Sequence, residues 1–286
     1  MPALLILTIT LTSLFEGIFI KKYNSKHKVG GFIFTALICF FSMMVFVISD
    51  TDGFNFPSEI WLYGIIAGIL YCSASFLTYV ALGCGSFAMS MLILSYSIVF
   101  SIIYGLFFLN EPATPLTYVG LALIMISLFL TKFENNSEKT NFSLKWLICI
   151  GLSVFGSGMF SVITRAQQFK FNNSYNNEFM IVALGFSTTM LLVIGLIKDG
   201  KHFGYILRYG VPWTLGAGAS NGITNILAMF LYTLMPISIA SPVQAGVKVI
   251  ISFAISVILF KERFSILQWI GVALGAVALV LLNIKL

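Results

Sequence analysis

Residues 237–260 read ISIASPVQAGVKVIISFAISVILF, an apolar run whose single charge, Lys248, stands at its centre. Apolar runs of about 17–25 residues are the unit that crosses a bilayer as a helix. A lysine at mid-membrane depth costs about 2.5–3.5 kcal/mol on insertion scales, so a chain that keeps one gives it a partner or a task. Outward from this run, similar ones recur along the chain, at roughly 2–20, 29–49, 59–82, 86–108, 115–131, 144–164, 178–197, 209–232 and 265–284. Hydrophobic residues make up 59% of the 286 and charged residues 9%, with a mean hydropathy of +1.00. A soluble domain carries about 25% charged residues. The expectation is an all-α integral membrane protein of ten transmembrane helices, with too little chain left over for a separate soluble domain.

The first run lacks a basic segment ahead of it, and Glu16, Gly17, Lys21 and Lys22 follow where a signal peptide would present small residues. It therefore reads as a retained helix. Cys39, Cys72, Cys84 and Cys149 form no CxxC or metal-type cluster and read as free thiols, and no cofactor is expected. The net charge of +6 comes from short loops, the pattern of membrane orientation and not of nucleic-acid binding.

An internal repeat sets the architecture. Phe107 to Glu111 leads into Leu116 to Leu123, and Ile258 to Glu262 leads into Leu267 to Leu274. Glu111 and Glu262, Gly120 and Gly271, and Leu123 and Leu274 all stand 151 residues apart, while Trp61 and Trp213 stand 152 apart. The chain thus divides into a first five-helix repeat at 1–132, a polar linker at 133–142, and a second five-helix repeat at 143–286. Because five is odd, the second repeat enters the membrane upside down. Inverted repeats characterise secondary transporters, which hold substrate near the midplane between the halves.

On these marks the chain resembles the drug/metabolite transporter superfamily, specifically its ten-helix EamA-type members, over essentially its full length. The local marks are Leu109-Asn110-Glu111 and Phe260-Lys261-Glu262, each followed by a helix with glycine at Gly120 or Gly271. The stretch from Val247-Lys248 to Phe260, then Gln268-Trp269-Ile270-Gly271, is also similar to helices nine and ten of nucleotide-sugar and triose-phosphate translocators. There a basic residue of helix nine helps hold the substrate phosphate, and the resemblance implies that role for Lys248. It also implies a multi-pass protein of the bacterial cytoplasmic membrane with both termini inside. The loop charges point the other way. With both termini outside, twelve Lys and Arg fall in cytoplasmic loops, against Arg165, Lys170 and Lys285 on the far side.

Among candidate site residues, Lys248 reads as a contact for a substrate carboxylate or phosphate, as half of a structural pair with Glu16, or as a titrating group. Its first-half equivalent is Ser97. Gln244 stands four residues away on the same helix face. Glu16 reads as a hydrated residue near the end of the first helix, or as a coupling carboxylate for a proton or other cation. Asn221 and Asn225 share a face that is costly toward lipid. Ser95-Tyr96-Ser97 and Tyr71 are further polar candidates, so the substrate-binding set is Lys248, Gln244, Asn221, Asn225, Tyr71, Tyr96 and Ser97, with Glu16 for coupling or ion pairing. Gly64 and Gly68 mirror Gly216 and Ser220 at an offset of 152 and predict close helix packing between the halves. Pro242 predicts a kink beside Lys248. Arg165-Ala166-Gln167-Gln168 reads as a solvated helix end, and Glu111 and Glu262 as capping residues.

An enzyme is disfavoured: His27, His202, Asp50, Asp52 and Asp199 fall in loops, leaving no intramembrane dyad or metal cluster, and no phosphate-binding glycine loop is present. A channel would want charged rings or carbonyl filters. The expected function is secondary transport, by alternating access, of a small polar metabolite with an anionic group: an amino acid, organic acid or phosphorylated compound. The alternative is export of amphipathic or cationic compounds, and a membrane scaffold is more remote. Expected partners are the substrate, a proton or other coupling ion, and the lipid bilayer. A monomer suffices, since one chain supplies both halves.

Overall fold

The computed structural model describes residues 2–27, 29–50, 53–109, 115–130, 143–261 and 265–283. The linker at 133–142 and the turns holding Glu111 and Glu262 lie outside them. All regular structure among the described residues is helical. In chain order the helices are α1 (Pro2–Lys26), α2 (Gly31–Ser49), α3 (Ser58–Cys84), α4 (Phe87–Leu94), α5 (Ile98–Phe108), α6 (Pro115–Leu130), α7 (Leu144–Lys170), α8 (Asn176–Asp199), α9 (Phe203–Tyr209), α10 (Val211–Leu234), α11 (Ile237–Phe260) and α12 (Ile266–Asn283). Among the described residues, seven helical segments are long and apolar enough to cross a membrane: α1, α2, α3, α4 with α5, α7, α8 with α9, and α11 from Ile239 onward. With no water in hydrocarbon to bond exposed backbone, helices that satisfy their own N–H and C=O groups are the form such segments take.

Local chemistry fixes the breaks. Ser86 caps α4 by accepting the Met89 N–H at 3.1 Å, and Pro57 and Pro236, at the cap positions of α3 and α11, hold extended backbone. Gly30 turns α1 into α2 with φ of 67°, and a Cβ there would lie 2.0 Å from Ile206 Cδ1, so both the backbone and the space demand glycine. Between α4 and α5, Ser95–Ser97 tighten into a 3₁₀ turn. The helix α11 is continuous through Pro242. A break in α-helical geometry falls in α4–α5, at Ser95–Ser97, with Ser97 standing 151 residues before Lys248.

The principal helix pairs are α2 with α8, α3 with α7, α1 with α10, α3 with α8, α6 with α12, and α2 with α10. Small residues set the closest approaches. Gly64 and Gly68 of α3 face Val182 and the Ala183 carbonyl of α8, while Gly218 and Gly222 of α10 face Ile38, Phe41, Ser42 and Val45 of α2. The α10 glycines that meet the α2 backbone are thus Gly218 and Gly222, not the Gly216 and Ser220 singled out in the sequence; Gly216 faces the Phe19 ring of α1. At the α6–α12 contact, Ser127 Oγ donates to the Gly271 carbonyl.

Two ends of the bundle can be told apart. At one, His27 Nδ1 shares a hydrogen bond with the Tyr205 hydroxyl at 2.8 Å, and the Phe32 N–H donates to Asp199 at 3.3 Å. The Lys21 ammonium there lies 4.6 Å from the Phe260 ring centroid, and Lys26, Lys201, Arg208 and Lys261 gather at the same end. At the other end, Lys170 of α7 pairs with Glu59 of α3, and the Asn55 N–H donates to Glu178 at 3.1 Å. Gln167 and Gln168, read from the sequence as solvated, are fully buried here; Gln168 donates to the Met229 carbonyl on α10 at 3.2 Å.

The glycine seams make a sharp prediction. At Gly218 a Cβ would lie 2.6 Å from Phe41 Cβ and 2.7 Å from the Ile38 carbonyl. Gly218→Val should therefore lower the thermal midpoint of the purified protein, with an overpacking cost of about 1–3 kcal/mol. Gly151→Ala, where nothing lies within 4 Å, should leave the midpoint unchanged or raise it.

Candidate functional site

A cavity of about 290 Å³ opens among α1, α3, the α4–α5 turn, α7, α10 and α11. Its size is at the small end of ligand pockets. Glu16 contributes from α1, Tyr71, Ser75 and Thr78 from α3, Ser95 and Ser97 from the 3₁₀ turn, Phe160 from α7, Asn221 and Asn225 from α10, and Gln244 and Lys248 from α11.

The sequence reads Glu16 as near the end of its helix. The structure corrects this, because α1 continues to Lys26 and leaves Glu16 ten residues from its end, deep in the bundle. The carboxylate keeps accessible surface only because it faces the cavity. Lys248 is equally deep, eleven residues from the start of α11. Attraction links the two charges across the cavity, although they form no direct ion pair.

One amide organises the polar wall. Asn221 is buried, and its Oδ1 accepts hydrogen bonds from the Tyr71 hydroxyl at 2.6 Å, Ser42 Oγ at 2.7 Å and Asn225 Nδ2 at 3.0 Å. Its Nδ2 donates to Glu16 Oε2 at 3.0 Å. An ionised carboxylate only accepts, so the amide turns its N–H groups toward Glu16 and its oxygen toward the hydroxyls and Asn225. The Gly218–Gly222 seam makes this reach possible by bringing α10 onto the α2 backbone at Ser42. Thr224 Oγ1 donates to Thr12 Oγ1 at 2.7 Å and fixes α10 to α1 as well.

Of the sequence-derived candidates, Lys248, Gln244, Asn221, Asn225, Tyr71, Ser97 and Glu16 line this one cavity. Tyr96 does not; its ring packs against the apolar cluster of Met89, Leu92 and Val243. The 3₁₀ geometry accounts for this, since at three residues per turn Ser95 and Ser97 flank one side and the residue between them points to the opposite side. Ser42, the second hydroxyl on Asn221, carries no signal in the sequence, because a helical serine ordinarily bonds its own backbone.

Residues 1–133 match the EamA-like transporter family. Over these residues the chain is similar to that family, which falls within the drug/metabolite transporter superfamily. The family and the apolar helices together make it an integral, multi-pass membrane protein of the transporter type. A solved structure described only as "Crystal structure of protein" has a TM-score of 0.70 and 14% identity, and the match covers 98% of each chain. At that identity the likeness speaks for the fold alone. No curated protein matches the sequence.

The Asn221 hub predicts a specific vulnerability. Asn221→Leu should leave Ser42 and Glu16 without their partner and Tyr71 with Ser75 alone, and each stranded buried group costs about 1–3 kcal/mol. Asn225→Leu strands only the Asn221 acceptor, which keeps two other donors. The thermal midpoint should therefore fall clearly further for Asn221→Leu than for Asn225→Leu.

Proposed function

We propose that the chain is a secondary carrier of a small polar metabolite bearing an anionic group, working by alternating access of two inverted five-helix halves. The observation that carries this reading is Lys248: an ammonium at mid-helix depth, facing a polar cavity, with no hydrogen-bond partner among the described residues. Burying such a group is costly unless it is paired or functional, and an incoming carboxylate or phosphate supplies the missing partner.

The packing supports two related halves. If α1, α2, α3, α4–α5 and α6 correspond in order to α7, α8, α10, α11 and α12, the main contacts fall into a twofold pattern. Helices α2 and α8, α6 and α12, and α4–α5 and α11 pair with their own counterparts. The α3–α7 contact mirrors α1–α10, and α3–α8 mirrors α2–α10. The proposed halves are 1–132 and 143–286. The basic end around Lys26, Lys201 and Lys261 faces the cytoplasm by the positive-inside rule, which leaves the start of α1 outside. Glu16 is then available to a coupling proton or other cation, and a single chain suffices for the cycle.

Export of cationic compounds is the second reading. Glu16 and the neighbouring rings of Tyr71 and Phe160, 5.0 Å apart, favour it as a cation-attracting surface.

Thermal stability of the purified protein against metabolites sorted by charge decides between them. A ligand at a hundred times its Kd stabilises the folded state by about 2.7 kcal/mol. Anionic compounds should raise the midpoint of wild type and not of Lys248→Ala. Anion shifts that survive the substitution, or shifts from cations alone, would overturn the proposal.

A further inference from the structure

Between α8 and α10 the chain carries an extra element at the basic end of the bundle. A 3₁₀ turn, Gly200–His202, leads into the seven-residue α9. With 24 residues α8 is already long enough to span, whereas seven residues rise only about 10 Å. One side of α9 is fastened to the bundle. Ile206 is fully buried against Gly30 in the α1–α2 turn, and the Tyr205 hydroxyl shares its hydrogen bond with His27.

The other side is bare. Tyr205, Leu207 and Tyr209 are 41%, 43% and 45% exposed, and Lys201 and Arg208 stand exposed among them. The two tyrosine rings lie 4.9 Å apart, and the Arg208 guanidinium lies 5.4 Å from the Tyr209 centroid, so rings and cation occupy one surface. Lys26, beside His27, and Lys198, just ahead of the turn, are exposed as well. Asp199 is the one acidic residue at this end among those described, and it accepts the Phe32 N–H. Tyrosine at headgroup level with lysine and arginine toward lipid phosphate is the composition of a bilayer interface. A soluble anion would cover the cations and leave Leu207 and the rings wet; a lipid covers both. In the proposed repeat the matching connection, residues 50–57, holds two aspartates and no lysine or arginine. The basic, aromatic surface is therefore no requirement of the fold.

We propose that α9 lies in the plane of the leaflet at the basic end and forms a site for an anionic phospholipid. Lys201 and Arg208 meet the headgroup phosphate, and Tyr205, Leu207 and Tyr209 meet the glycerol and the upper acyl chain. Because Ile206 and Tyr205 fasten α9 to the α1–α2 turn, a bound lipid braces that turn against the α8–α10 connection. The surface lies outside the cavity, and the site stands whatever the cavity carries.

The test is native mass spectrometry of the purified full chain titrated with phosphatidylglycerol, with phosphatidylcholine of the same acyl chains as the neutral reference. A lysine or arginine near an anionic surface contributes about fivefold in affinity, so the two cations should favour phosphatidylglycerol by about 25-fold. Lys201→Gln combined with Arg208→Gln should remove that preference, and Lys170→Gln, at the opposite end, should keep it. A spin label on Leu207→Cys, with Cys84→Ser and Cys149→Ser, reports depth in phosphatidylglycerol vesicles. It should meet oxygen, which enters the apolar layer, more readily than a water-soluble nickel chelate.

Equal binding of the two lipids by the wild type overturns the proposal, as does a preference that survives the double substitution. A label that meets the nickel chelate more readily than oxygen places α9 in water and overturns it too. Poly-glutamate binding more tightly than phosphatidylglycerol would assign the surface to an acidic protein, and glycerol 3-phosphate binding as tightly would assign it to a soluble phosphate. Either result overturns the lipid. The wild-type lipid ratio decides even if the double variant does not fold.

Discussion

The Asn221 amide ties α1, α2 and α3 to α10 deep inside the helical bundle. Glu16, Ser42 and Tyr71 come from three different helices, and each shares a hydrogen bond with this one side chain of a fourth. A buried polar cluster of this kind holds only if every member is satisfied, because an unpaired group in a low-dielectric interior is expensive. The positions of α1, α2 and α3 relative to α10 are therefore tied to one another through a single residue. The carboxylate that faces the cavity is aimed by the same bonds that hold the helices.

Helix association in a bilayer gains little from the hydrophobic effect, since lipid tails are as apolar as leucine, so close backbone approach and polar contacts carry it. The two glycine seams supply the approach and the Asn221 cluster supplies the contact, and the first is a condition of the second. A β-carbon at Gly218 or Gly222 would push α2 away and draw Ser42 out of reach of the amide. Packing and site chemistry here share one cause.

Much of this was legible in the residues. The apolar runs located the helices, and the helical spacing of Gln244 with Lys248, and of Asn221 with Asn225, placed each pair on one face, where the cavity now lies. What the sequence hid follows from physics that a linear reading does not see. Lys21 and Lys22 looked like the end of the first helix, yet a lysine stem lies readily along apolar surface while its head finds polar or aromatic company. Lys21 does so over Phe260, and α1 runs on to Lys26. That extension moves Glu16 from a helix end to the bundle centre. Tyr96 was grouped with its neighbours Ser95 and Ser97 for its polarity alone, and the 3₁₀ turn points it away from the cavity that they line. Pro242 stands near the start of α11 and leaves it continuous, while the interruption at Ser95–Ser97 involves no proline and carries no signal in the sequence.

That interruption carries a mechanical meaning. A 3₁₀ segment is wound more tightly and stretched further than an α-helix, rising about 2.0 Å per residue against 1.5 Å and turning about 120° against 100°. Over Ser95–Ser97 the stored difference amounts to about 1.5 Å of axial length and about 60° of rotation. A return of these three residues to α geometry would draw α5 toward α4 like a screw and swing Ser101 around the helix axis.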